Sequence, residues 1–139
     1  MKIFLPIVPP KTTHHSKKIV RIGKFHKLAD KPELTEVISD YMSLLQPYAP
    51  PCPLSGPIIL NLEFVFPWRK SEPKRNRILG KIPMTSKPDR DNMEKTLNDV
   101  MTKLGFWTDD AQIFDGRTSK YWGDNVGITI EFAEWRPTK

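Results

Sequence analysis

The stretch Ile58 to Phe66, IILNLEFVF, constrains the fold more than any other part of the chain. Ile58, Leu60, Leu62, Phe64 and Phe66 alternate on one side, with Ile59 and Val65 on the other. Side chains two apart share a face only in extended backbone. A strand apolar along one whole face and partly along the other belongs inside a sheet, so the chain must supply flanking strands and a cover for that face.

Candidates for both lie on either side. MKIFLPIVPP places Ile3, Leu5 and Ile7 on one face, with Pro6 assigning the strand to an edge or bulge. The polar, basic run from Lys11 to Lys27 has room for one short strand around Ile19 to Phe25. A helix follows, with Asp30 and Glu33 as a capping box, Pro32 in the first turn, a stripe of Leu34, Val37, Ile38, Tyr41, Met42 and Leu45, and Pro47 as its stop. A second helix is predicted from Asp91 to Leu104, with Met93, Leu97, Val100, Met101 and Leu104 buried and Gly105 as the C-terminal cap. Ile113 to Trp122 and Val126 to Glu134 suggest a hairpin around Gly123, Asp124 and Asn125, with Val126, Ile128, Ile130 and Phe132 facing the core. The expected fold is α/β of the α+β kind: one domain over 1–139, a small mixed sheet of about four to five strands, and two main helices packed on it.

Apolar residues are 38% of the 139 and charged residues 27%, enough for one modest core. No apolar run is long enough to cross a bilayer and the first residues lack a secretory pattern, so the expected address is the cytoplasm, with no membrane partner. Cys52, alone in the sequence, has no cysteine for a disulfide or zinc site and reads as an incidental thiol. Lys and Arg number 22 against 16 Asp and Glu, a balance that favours an anionic partner where the charge is patterned. It is patterned between Pro67 and Pro83, read as a loop: Arg69, Lys70, Lys74, Arg75, Arg77 and Lys81 crowd around one acid, Glu72. One reading is phosphate contact; the other is a solvated loop. Trp68 beside it offers a stacking surface for bases. Phe106 and Trp107, just after a helix end, fit better as packing beneath the next turn. His14 and His15, after Lys11 in a polar turn, read as ordinary surface residues.

Against this basic background the acids gather. KPDRDNMEKTLNDVMTKLGFWTDDAQI, Lys87 to Ile113, holds Asp89, Asp91, Glu94, Asp99, Asp109 and Asp110. Pro88 keeps the preceding residue out of the helical region. Asp89 is then extended and projects with Asp91, which is placed as the N-cap with Glu94 closing a capping box. Lys95 follows Asp91 by one turn on the same polar face. Two readings stay open. Asp91 caps, Lys95 pairs with Asp91 or Asp99 for about 0.3–0.5 kcal/mol, and Asp109 and Asp110 shape a turn. Or the chain returns after the helix, about 20 Å long, to bring Asp110 beside Asp89 and Asp91. Magnesium, which takes oxygen ligands, would then offset the repulsion and activate a phosphodiester, with Lys95 stabilising the developing charge.

The combination of DRDNMEK, Asp99, KLGFWTDDAQI and DGRTSK resembles the RusA family of Holliday junction resolvases, found in bacteria and their prophages. Asp89, Asp91, Asn92, Lys95, Asp99, Gly105, Asp109, Asp110 and Gln112 stand at the family's spacings, and Asp115, Arg117 and Lys120 continue the match. The close likeness runs from Asp89 to Lys120; the first third of the chain and the loop from Arg69 to Lys81 depart from it. The resemblance implies a homodimeric, magnesium-dependent endonuclease that cuts four-way junction DNA in recombination and repair, without a small-molecule cofactor. It implies Asp89, Asp91 and Asp110 as metal-binding carboxylates and Lys95 as the catalytic lysine; Asp109 has no assigned role. Lys11, Arg69, Lys74, Arg75, Arg77 and Lys120 are the expected DNA contacts. A two-fold dimer would present two equivalent sites to a nearly two-fold substrate. The rivals are a non-catalytic binder of branched or single-stranded nucleic acid, a metal-dependent nuclease for another substrate, and an assembly protein with a basic surface.

Overall fold

The computed structural model describes residues 1–12, 17–22, 25–30 and 32–138. The strand that anchors the prediction, β4 (Ile58–Phe66), lies in the middle of a six-stranded sheet. Its Ile58, Leu60, Leu62, Phe64 and Phe66 are buried, while Ile59, Asn61 and Glu63 on the opposite face are half-exposed. The sheet also contains β1 (Lys2–Leu5), β5 (Lys81–Pro83), β6 (Ile113–Asp115), β7 (Thr118–Gly123) and β8 (Gly127–Glu134). Its order is β1-β8-β4-β7-β5, with β6 on the same side of β4 as β7. β4 runs antiparallel to β8 and parallel to β6 and β7, so the sheet is mixed.

Two long helices, α1 (Pro32–Leu45) and α3 (Arg90–Lys103), touch each other and cover the apolar face. Tyr41 and Leu45 of α1 join Met93, Leu97, Val100 and Met101 of α3 in one core with the inward residues of β1, β4 and β8. Leu104, expected in that stripe, is only half-buried. The other sheet face is polar and open, a shallow concavity of about 390 Å³ bordered by Asn61, Glu63, Arg117, Ser119 and Glu131. A one-sided sheet explains why β4 alternates rather than reading as a continuous apolar run.

Four expectations need correction. The predicted hairpin does not form: β7 and β8 flank β4 instead of pairing, with Trp122 opposite Phe66 and Gly127 opposite Val65. Alternation reveals which face of a strand is buried but not which neighbour it takes. The basic stretch after Phe66 is not all loop, since it contains the four-residue helix α2 (Lys74–Arg77) and β5. The strand placed at Ile19 to Phe25 is two strands, β2 (Lys17–Ile22) and β3 (Phe25–Asp30), paired from Lys17–Asp30 to Ile22–Phe25 in a separate sheet. Charged and apolar residues fall in adjacent pairs there, Lys17 with Lys18 and Ile19 with Val20, so a period of two does not show. The second helix begins at Arg90, one residue early, with Asp89 as its N-cap in place of Asp91. The capping box expected of Asp30 and Glu33 lies outside the described side chains, as do His14 and His15.

Gly105 does end α3. At φ 82° it donates to the Thr102 carbonyl, and Phe106 donates to that of Met101, both at 3.1 Å. Gly116 is more demanding. It joins β6 to β7 where the register along β4 shifts, at φ 146°, and a Cβ there would lie 1.7 Å from the Leu60 carbonyl oxygen. Gly80, at φ 86°, has nothing within 4 Å of that position. Gly80→Ala should therefore cost about 1–2 kcal/mol from backbone conformation alone, and Gly116→Ala about 2–5 kcal/mol once displacement of β4 is added. Urea unfolding of the two variants checks the difference.

Candidate active site

Asp89 is held by its backbone. Its φ of −70° and ψ of 141° suit an N-cap, and its carbonyl accepts the first helical hydrogen bond, from Met93 at 3.2 Å. Among the described residues its carboxylate accepts no capping hydrogen bond, although this is the usual use of an aspartate there. It is left exposed at the helix entrance, with Asp91 exposed in the first turn. Glu94 closes no capping box, since the third helical position after Asp89 is Asn92.

The approach to Asp89 is fastened to β7. The Met84 N–H donates to the Lys120 carbonyl at 3.1 Å. The Lys120 ammonium donates to the carbonyls of Ser86 at 2.5 Å and Pro88 at 2.7 Å. At the first position of the helix, Arg90 Nη1 donates to the Thr118 carbonyl at 3.2 Å. Lys120 stands opposite Phe64 in the register, so its side chain leaves the sheet on the helix-covered side. Lys120, expected at DNA, has its charge engaged with this segment.

Asp91, Lys95 and Asp99 recur every four residues along the polar side of α3, about 6 Å of rise apart. After Gly105 the chain comes back along the helix to a 3-10 turn, Asp110–Gln112, which contacts α3. The Asp110 carboxyl is raised above its ordinary range, first by a hydrogen bond with Asp109, then by partial desolvation and by the charges of Asp109 and Asp99, with Lys95 opposing. Asp110 is therefore within electrostatic reach of Lys95 and Asp99. The turn has been brought to the stripe that begins at Asp91.

The turn itself is tightly made. Asp109 Oδ1 accepts from the Ala111 N–H at 2.9 Å, and Gln112 Oε1 accepts from the N–H groups of Thr108 and Asp109 at 2.9 and 2.8 Å. Gln112 Nε2 donates to the carbonyls of Leu54 and Gly56, both at 2.9 Å, which ties the turn to the approach to β4. Asp109 thus has a structural task. Gln112, which the sequence marks only by its place at the family's spacing, is a positioning residue, and acid-x-x-Gln is a readable capping-box signal. Beneath lie Phe106 and Trp107, fully buried, with the Trp107 indole N–H on Thr102 Oγ1 at 2.8 Å.

All the acidic groups gathered here offer hard oxygen donors, the set that suits magnesium. Among the described residues, no three His, Cys, Asp or Glu side chains stand close enough together to form a ligand group. The likeness to a metal site is therefore one of donor chemistry and accumulated charge: like charges crowd Asp110, and Asp89 keeps its carboxylate unspent.

The basic segment is braced from within. Glu72 is buried, with Oε2 accepting from Arg69 Nη2 at 2.8 Å and Oε1 from Asn76 at 2.6 Å. Arg77 donates to the carbonyls of Glu72 and Arg69 at 3.1 and 2.9 Å. The Arg69 guanidinium also lies 5.1 Å above the Trp122 ring, and the Lys11 ammonium 6.0 Å from the same ring. Trp68 donates to Asp124 Oδ1 at 2.7 Å. Of the expected DNA contacts, Arg69, Arg77 and Lys120 have their charged heads in these internal interactions, while Lys11, Lys74 and Arg75 are exposed.

A family model described as Endodeoxyribonuclease RusA matches residues 6–133. The chain belongs to the RusA family. Membership places it in the crossover junction endodeoxyribonuclease class of enzyme. It is 44% identical over 48 residues to the crossover junction endodeoxyribonuclease RusA of Escherichia coli strain K12, a match covering 34% of this chain and 40% of that one. The same figures hold for the enzyme of that name from Enterobacteria phage 82. Over a longer span it is 26% identical to YqaN of Bacillus subtilis strain 168, across 121 residues and 83% of each chain. Among the described residues no helix is long and apolar enough to cross a membrane.

Hydrogen bonds from Asn76 and Arg69, in that order, hold the Glu72 carboxyl below its ordinary 4.5. A depressed carboxyl adds stability that is present above the unfolded-state value and lost as pH falls through the folded one. Glu72→Gln should lower the Tm at pH 7, and its gap from the parent chain should close as the pH is taken below 4.5. Thermal unfolding followed across that range checks the sign.

Proposed function

We propose that this chain is a magnesium-dependent endonuclease that resolves four-way DNA junctions in recombination and repair, nicking opposed strands symmetrically as a homodimer in the cytoplasm. The observation that supports the reading is the packing of the turn that carries Asp110 against α3, the helix that Asp89 caps and that bears Asp91 and Lys95. In this reading Asp89, Asp91 and Asp110 are the residues that would hold the metal, and its chemistry would be to activate water and polarise the phosphate. The Lys95 ammonium, exposed on the same stripe, stabilises negative charge developing on the phosphoryl oxygens. Asp99 follows Lys95 by one helical turn on the same stripe. Gln112 and Lys120 fix the backbones of the two carboxylate-bearing turns. Exposed Lys11, Lys74 and Arg75 supply phosphate contacts. Two copies related by a two-fold axis match the pseudo-symmetry of the junction and allow both nicks within one encounter.

A synthetic mobile four-way junction tests the assignment. With magnesium the chain should nick opposed strands at symmetrical positions. Asp89→Asn should abolish nicking while junction binding persists, and Lys95→Met should slow it by about 10²–10³-fold. Linear duplex cut as fast as the junction would transfer the reading to a nuclease of another substrate.

Phosphate contacts are separable from structural cations by salt. Lys74→Ala and Arg75→Ala should each lower the slope of log K against log salt by about 0.9 on duplex DNA. Arg69→Ala should mainly lower the Tm, because its charge is engaged with Glu72 and Trp122. Binding isotherms at several salt concentrations distinguish the two behaviours.

A further inference from the structure

The most exposed large apolar side chains among the described residues are Ile78, 84% exposed, and Leu79, 68% exposed. They stand together at the tip of the segment between β4 and β5, directly after α2 and before Gly80, whose positive φ turns the chain back. A flexible loop could fold two such residues inward; this one is held. The Glu72 carboxylate gathers Arg69 and Asn76, and the Arg77 guanidinium donates to the Glu72 and Arg69 carbonyls beneath the tip. The base is tied to the turn before β8 by Trp68 on Asp124 and by the Asp124 N–H on the Gly80 carbonyl at 3.0 Å. The brace is entirely polar, so nothing in it requires aliphatic residues at the apex. Exposed Lys74 and Arg75 lie in α2 directly before the pair, and exposed Lys70 precedes them in the same segment. β5 then leads from the tip alongside β7 to the Lys120-held entrance of Asp89.

We propose that Ile78 and Leu79 form an apolar wedge that enters an opened base step at the branch point of DNA, while Lys70, Lys74 and Arg75 hold the flanking phosphates. A surface that receives an aliphatic pair carried on a segment of exposed cations must itself be apolar and bordered by anions. Base faces exposed at an unstacked step meet both conditions, and aliphatic wedges open such steps. In a linear duplex the faces are stacked and closed, so the wedge favours the branch over the arm. The inference rests on the nuclease reading only for the choice of a branched partner, and it concerns binding, not the chemical step.

The test uses the full chain without added divalent ions and junctions carrying 2-aminopurine either beside the branch point or in the middle of an arm. The parent chain should raise fluorescence at the branch label and not at the arm label. Ile78→Ser with Leu79→Ser should abolish the rise and reduce the preference for junction over linear duplex by about tenfold, the scale of one lost base contact. Its duplex affinity and Tm should stay at parent values, and each single exchange should give a partial loss. The conservative pair Ile78→Leu with Leu79→Ile should retain both signals. An undiminished junction preference in the double serine variant would overturn the proposal. So would a loss of duplex affinity or of dimer mass in parallel with it, which would place the pair in a protein contact. A chain that shows the branch signal but nicks no junction with any divalent ion would refute the nuclease reading and leave the wedge standing. Nicking without the branch signal would do the reverse.

Discussion

The parallel pairing of β4 with β6 and β7 is the constraint on which the site depends. Parallel neighbours cannot be joined by a tight turn, so the chain must leave the end of β4 and cross back over the sheet to start again at the same end. Here the crossing is made by α3, which lies on the apolar face because Met93, Leu97, Val100 and Met101 bury against it. Both ends of that crossing are then fixed. Its entrance passes over β7, where Lys120 and Thr118 hold the backbone around Asp89. Its exit must fold back to reach Ile58, which carries Asp110 past Lys95 and Asp99. The turn that carries Asp110, 21 positions after Asp89, is thus packed on the helix that Asp89 caps.

Charges in this protein divide by task. Arg69 and Arg77 brace Glu72, Lys120 holds two carbonyls, and Asp109 stitches a turn. Such groups give up solvent freedom for geometry, and each is paired with a defined acceptor or donor, as partly buried polar groups must be. Asp89, Asp91, Lys95, Lys74 and Arg75 remain exposed. Basic residues of identical type, a few positions apart, therefore differ in what their loss would change. Net charge alone conceals that division.

Legibility in the sequence followed the range of the interaction that decides each feature. β4, α1 and the body of α3 were readable because period and local stop signals determine them: Gly105 at positive φ ends α3 where its position in the sequence suggested. The order of the strands was not. Nothing in Ile113 to Glu134 tells β7 to leave β8 and pair with β4, because that choice depends on where α3 deposits the chain. The β2 and β3 ladder was half-seen, since adjacent lysines followed by adjacent apolar residues hide its period. In the site, Asp89, Asp91 and Lys95 were readable as one polar surface, and the shift of the cap from Asp91 to Asp89 altered only the geometry between the first two. Asp110 needed either the family's spacing or the fold. The tasks of Lys120 and Gln112 are to hold carbonyls of distant segments, and no local pattern marks such a partner.

Local rules are broken where the chemistry is proposed and kept elsewhere. An N-cap aspartate that spends no side-chain bond on its helix forgoes a contribution of about 1 kcal/mol. Asp110 sits among acids that disfavour its own ionisation. Both departures lie on the same stretch, and both are opposed by firm anchoring nearby: Phe106 and Trp107 packed beneath the turn, Gln112 bound on both sides, and Lys120 behind the helix entrance. A frame that is locally favourable can carry an acidic surface that is not, and such mismatches concentrate at functional sites. The same logic separates the two ends of β7. Toward Lys120 the frame presents carboxylates; toward Trp122 it presents a cationic tip with bare aliphatic residues. Neither end minimises the free energy of the isolated chain. Anionic DNA is the partner that would relieve the cationic tip, and a bound cation is what would relieve the acids.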